Sequence, residues 1–102
     1  PGAPVNPVPA DAASLERGAE LYAINCALCH GAKGEGNGTF SAFLIRIKPA
    51  NLLQGRAFTD SDGYIFQTIT DGIEGAMPNL RENLDVRARW DVVNYVRQLQ
   101  GK

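Results

Sequence analysis

Apolar residues recur at helical spacing in three stretches of the chain, and no segment sustains the period-two alternation of a half-buried strand. In the first stretch, "DAASLERGAELYAINCALC", Leu15, Ala19, Tyr22 and Cys26 share one helical face. Asp11 or Ser14 is placed to cap this helix, and Glu16 lies early enough to favour the helix dipole. Gly18 costs about 1 kcal/mol relative to alanine inside a helix, so another backbone is expected to come close there. The second stretch, "FTDSDGYIFQTITDG", carries a stripe of Ile65, Phe66 and Ile69, with Thr59 or Ser61 as cap and Gly72 as stop. The third, "NLDVRARWDVVNYVRQLQG", starts from Asn83 or Asp85 and ends at Gly101. Val86, Trp90 and Val93 line one side of it, and Val92, Val96 and Leu99 line a neighbouring one.

Between the helices the chain is loop. Residues 31–39 are glycine-rich, and "FSAFLIRI" predicts a brief helical turn that Pro49 ends. The opening "PGAPVNPVPA" has four prolines in nine residues, which favours an extended segment. Residues 1–10 therefore read as a tether, or equally as a terminus laced over the surface, ahead of a domain spanning residues 11–102. The expected fold is all-α, with three main helices and much connecting loop. A chain of 102 residues is one domain with a barely sufficient core, so a group adding buried apolar surface would matter.

Charge narrows the function. The formal net charge is -1, and the basic residues are dispersed, which excludes a nucleic-acid footprint. The short run from Arg46 to Lys48 reads as solvated surface. No stretch approaches the roughly 20 apolar residues of a membrane span, and the first residues lack the profile of a secretory signal. Membrane association is expected only through the tether or a complex.

The chain's two cysteines and single histidine fall within five positions, Cys26, Ala27, Leu28, Cys29 and His30. Two thiols at i and i+3 can add across the vinyl groups of a haem while the adjacent imidazole ligates iron from the same side. This is the C-x-x-C-H signature of c-type haem attachment. A structural zinc site would need a fourth ligand from a carboxylate or a second chain. A redox dithiol would sit at the start of a helix after a strand, whereas here the motif ends a helix. A disulfide between Cys26 and Cys29 would close too small a loop to contribute much. With one histidine, a bis-histidine haem within the chain is excluded. Met77 is the sole methionine, and it lies in a loop with Gly72, Gly75 and Pro78 rather than on a helix face. That setting suits a stiff strap carrying a thioether ligand better than a gap-filling core residue.

From about Asp11 to Gly101 the order of these features resembles the class I mono-haem cytochromes c. A first helix ends in "CALCHG", a proline-bearing loop follows, a middle helix precedes a Met-Pro loop, and an aromatic-bearing helix closes the chain. Within that class, "GYIFQTITDGIEGAMPNL" is similar to haem c subunits and domains of bacterial respiratory complexes, with alternative complex III and caa-type oxidases as examples. The resemblance implies helices and loops wrapped around one haem c bound through Cys26 and Cys29, with His30 and Met77 as axial ligands. It implies that Pro49 supplies the carbonyl that orients His30, and that Arg56, Tyr64 and Trp90 are candidates to hold the haem propionates. It also implies that Gly18 and Tyr22 meet Val92 and Tyr95 where the terminal helices cross.

The implied function is single-electron transfer by a monomeric, non-enzymatic carrier domain, in the periplasm or on the outer face of the cytoplasmic membrane. Its partners would be redox proteins such as a terminal oxidase or a quinol-oxidising complex. With only three lysines the chain lacks a basic docking ring, so tethering or a small apolar rim is expected to bring the partner close. The alternative is a haem c protein with a labile sixth ligand, acting in gas binding or peroxidase chemistry.

Overall fold

The computed structural model describes residues 3–40 and 49–102. The expected turn after Phe40 and the basic run from Arg46 to Lys48 lie outside the described residues. Five helices and no strand are found among them: α1 (Ala12–Asn25), α2 (Ala27–His30), α3 (Gly55–Thr59), α4 (Asp62–Asp71) and α5 (Val86–Leu99). The longer helices begin where a short polar side chain can accept from an otherwise unpaired N–H. Asp11 accepts from Ser14, Ser61 from Tyr64, and Asp85 from Ala88. Gly72 stops α4 at a φ of 71°, in the left-handed region that a side chain resists.

The organising contact is the crossing of α1 over α5. A β-carbon added to Gly18 would stand 2.1 Å from the Asp91 carbonyl oxygen, so only glycine lets the two backbones come this close. Four residues on, the rings of Tyr22 and Tyr95 meet with centroids 5.4 Å apart. The implied meeting of α1 and α5 is therefore present, with the Asp91 backbone rather than Val92 opposite Gly18.

The buried face of α1 is Ser14, Gly18 and Tyr22, while Leu15 and Ala19 are only half-buried. The shift from the expected apolar stripe has a polar cause. Asp91, 1% exposed, accepts from Ser14 Oγ at 2.6 Å and from Arg17 Nε at 2.9 Å. Burial alone would raise the Asp91 carboxyl, but these hydrogen bonds and the charges of Arg17 and Arg87 outweigh it and hold the group below its ordinary range. Asn94 donates to Ser14 Oγ at 2.9 Å, so the crossing is satisfied by hydrogen bonds as well as packing.

Residues 3–10 lie against this frame. The Asn6 amide donates to Asn94 Oδ1 at 2.7 Å and to Asp62 Oδ2 at 3.1 Å, and Asn94 donates to the Val8 carbonyl at 3.2 Å. The Pro4 carbonyl passes over Gly63, where a β-carbon would be 2.0 Å away. Behind α4 and α5, Phe66 stacks on Trp90 at 4.0 Å in a core that includes Tyr22, Cys26, Ile69, Leu84 and Val93. No helix among the described residues is long and apolar enough to cross a membrane.

Candidate functional site

Cys26 is a hinge between two helices. Its N–H still donates to the Tyr22 carbonyl at 2.8 Å, closing α1, while its carbonyl accepts from Cys29 and His30 at 3.2 and 2.9 Å, opening α2. Its own φ of -120° breaks the run, so the expected single helix is two helices meeting at the first cysteine. Cys26 is buried, whereas Cys29 and His30 are half-buried and within one turn of it. Neither cysteine is in a disulfide.

The glycine-rich loop folds back onto this turn. Gly31 leaves α2 at a φ of 86°, and its carbonyl accepts from the Tyr22 hydroxyl at 2.6 Å. Gly36 then donates to the His30 carbonyl at 2.7 Å and Gly38 to that of Cys29 at 3.0 Å. The loop thereby satisfies carbonyls that the end of so short a helix leaves open. Gly38 approaches so closely that a β-carbon would be 2.2 Å from the Leu28 oxygen.

Leu52 N–H bonds to the Gly34 carbonyl at 2.6 Å and brings the following segment alongside. The Ala50 carbonyl then lies 2.9 Å from His30 Nδ1. A carbonyl can only accept, so Nδ1 carries the proton and the Nε2 lone pair is left for a metal. The expectation that Pro49 supplies this acceptor is corrected by one residue. The Pro49 carbonyl oxygen lies beside Gly36, 3.0 Å from where a β-carbon would be, and the next carbonyl along, that of Ala50, meets the imidazole.

Met77 sits on a small strap. Ile73 and Met77 exchange both backbone hydrogen bonds at 2.8 Å, and Gly75 closes the turn between them at a φ of 76°. Gly72 lets the strap fold tightly, since a β-carbon there would be 2.5 Å from the Met77 oxygen. Leu80 N–H, donating to the Ile69 carbonyl at 2.9 Å, ties the strap's far end to α4. The strap borders an open groove of about 520 Å³ lined from Asp71 to Asn79. Met77 is half-buried and packs against the same core that contains Cys26.

The remaining candidates have separate settings. Arg56 is 82% exposed and pairs at 3.9 Å with Asp60. Tyr64 projects from α4, 54% exposed, beside the Ala3–Asn6 segment. Trp90 is buried at 3% exposure on the core face of α5. Ala50, which sequence reasoning missed, contributes only a main-chain atom and leaves no side-chain signal.

The chemistry of this donor set discriminates among its possible uses. Burial first, and then the neighbouring Cys29, push the Cys26 thiol up to about 12, the opposite of the activated thiolate that a redox dithiol needs. Among the described residues no group of three or more His, Cys, Asp or Glu side chains could hold a metal ion by itself. Two thiols, an imidazole oriented through Nδ1 and a strapped thioether do fit a haem c. The apolar side chains beside them, Ile24 and Leu28 around the cysteines and Ile73 opposite Met77, are 52% or more exposed. An apolar macrocycle is the kind of group that such surface suits.

Residues 13–96 match the family model described as cytochrome c oxidase, cbb3-type, subunit III. This is a different respiratory complex from the two examples that the sequence brought forward. Among curated proteins, the chain is 35% identical over 94 residues to the cbb3-type cytochrome c oxidase subunit FixP of Azorhizobium caulinodans, covering 91% of this chain and 30% of that one. It is 34% identical to the corresponding subunit CcoP of Azospirillum brasilense, covering 89% of this chain and 30% of that protein. The chain thus spans less than a third of the length of these relatives. Among solved structures, a chain of the reducing HAO-like protein complex of Kuenenia stuttgartiensis superposes with a TM-score of 0.81 at 27% identity, over 97% of this chain and 50% of that one.

Proposed function

The chain belongs to the cbb3-type cytochrome c oxidase subunit III family of c-type cytochrome domains, and from that we propose that it carries one haem c and passes single electrons within a respiratory complex. The observation that carries the reading is the turn at Cys26, Cys29 and His30, with the imidazole held through Nδ1 by the Ala50 carbonyl. Cys26 and Cys29 would hold the haem as thioethers, each sulfur bonded to one former vinyl carbon with the thiol proton on the other, and His30 through Nε2 and Met77 through its thioether would be the residues that hold the iron. Haem ligated in this way supplies a reversible one-electron couple, and methionine as sixth ligand raises its potential.

The chain's own residues supply binding and rigidity. The Ala50 carbonyl fixes the tautomer and ring orientation of His30 and increases its basicity. The loop from Gly31 to Gly38 and the Ile73–Met77 backbone pair hold the two ligand segments in place, which limits the rearrangement that accompanies a change of charge. Arg56, Tyr64 and Trp90 remain the candidates for the propionates. The partners are redox proteins of a terminal oxidase or a quinol-oxidising complex, and the domain works as a monomer in the periplasm or on the outer face of the membrane.

A redox titration of the haem-loaded chain, followed optically, tests this reading. One reversible one-electron step between low-spin forms, indifferent to carbon monoxide when reduced, is the expected result. A high-spin spectrum, or ready carbon monoxide binding without denaturation, would mean that Met77 does not hold the sixth position and that the haem binds ligands instead.

A further inference from the structure

Arg89 is buried at 8% exposure, and its guanidinium has no carboxylate within ion-pair distance among the described residues. Its partners are neutral. Nε donates to the Leu84 carbonyl at 2.9 Å, one terminal nitrogen to Thr70 Oγ1 at 3.3 Å, and the other to the Arg81 carbonyl at 3.1 Å. The guanidinium carbon also lies 5.6 Å from the centre of the Phe66 ring, whose other neighbour is Trp90 at 4.0 Å. A guanidinium keeps its charge in proteins, and a buried charge without a counter-charge is costly. Anchoring the loop of residues 81–84 needs donors, but it does not need a net charge.

The charge has an evident recipient. Phe66, Trp90 and Cys26 belong to one core, and Met77 packs against it, so the cation and the proposed haem site share a single low-dielectric interior. We propose that Arg89 is a fixed positive charge that raises the reduction potential of the haem this fold carries. The inference rests on the haem c reading above. Oxidation adds one positive charge to the haem iron, and a buried cation with no counter-ion disfavours that state. Surface charges do so much less, because water and salt screen them. Arg81, exposed and ion-paired with Asp71, is expected to have little such effect.

The test is the midpoint potential of haem-loaded variants, with the optical spectrum as control for unchanged ligation. Arg89→Met should lower the potential by an amount on the order of a tenfold change in the oxidised-to-reduced ratio, about 59 mV for a one-electron couple. Arg89→Lys, which keeps the charge, should restore most of the loss. Thr70→Asp leaves the guanidinium in place and sets a carboxylate beside it, so it too should lower the potential. Should Arg89→Met fail to retain haem, Thr70→Asp decides alone. An unchanged potential in a low-spin, haem-loaded Arg89→Met or Thr70→Asp variant would overturn the proposal and leave Arg89 as a loop anchor. Failure of the unsubstituted chain to take up haem would instead overturn the reading on which it rests.

Discussion

Replacing Gly18 with alanine sets two effects of opposite sign against each other. Helix propensity alone favours the change by about 1 kcal/mol. Yet the new methyl carbon would lie 2.1 Å from the Asp91 oxygen and 2.9 Å from the β-carbon of Tyr95, where real contacts are not below 3.0 Å. Reaching even that limit requires the α5 backbone to retreat by about 0.9 Å, the difference between 3.0 and 2.1 Å. Such a retreat stretches the bonds from Ser14 and Arg17 to Asp91 and loosens the contact of Tyr22 with Tyr95. Overpacking of this kind costs about 1–3 kcal/mol, and weakening a hydrogen bond to a buried charge adds to it. The expected balance is a net loss of about 2 kcal/mol. In urea unfolding of the haem-loaded protein followed by far-ultraviolet circular dichroism, this lowers the midpoint by about 1–2 M. Ala23→Gly, on the exposed side of the same helix, should lose only about 1 kcal/mol, through propensity. A Gly18→Ala midpoint equal to or above that of the parent would refute the argument that backbone contact requires this glycine.

Stability should also depend on acid through Asp91. Its folded carboxyl is below its ordinary value, so its contribution is fully present above the unfolded value of about 3.9 and is lost as pH falls through the folded one. Asp91→Asn should cost about 1.5–3 kcal/mol at neutral pH and flatten the acid limb, as read from urea midpoints between pH 3 and 7. Met77→Ala in the loaded protein should open the sixth position, giving a high-spin or carbon monoxide-binding spectrum and a lower midpoint potential; an unchanged spectrum would remove Met77 from ligation. Asn6→Ala breaks the bridge between Asn94 and Asp62, so amides of residues 3–10 should exchange faster with solvent while those of α5 keep their protection.

The features legible in the sequence were those with a local physical cause. Periodicity and caps located α1, α4 and α5, and Asp11, Ser61 and Asp85 each proved to be the capping member of the pair considered. The motif at Cys26, Cys29 and His30 was legible because its chemistry depends on spacing along a single turn. What a hydrophobic pattern could not convey was the polar seam between α1 and α5. There Ser14, Asp91 and Asn94 are buried because they satisfy one another across about 80 residues of sequence, while Val86, counted in the apolar stripe, is 57% exposed. The short α3 was missed because "GRAFT" starts with glycine and is too brief to display a period. The acceptor for His30 fell one residue beyond Pro49, since a main-chain carbonyl belongs to whichever residue the loop presents.

Denaturing intact-mass measurement of the chain, produced with haem c maturation and treated with an alkylating agent, most directly tests the claim that Cys26 and Cys29 carry a haem. The account predicts a mass raised by one haem that survives unfolding, with neither cysteine alkylated. An unmodified chain with two alkylated thiols would contradict it.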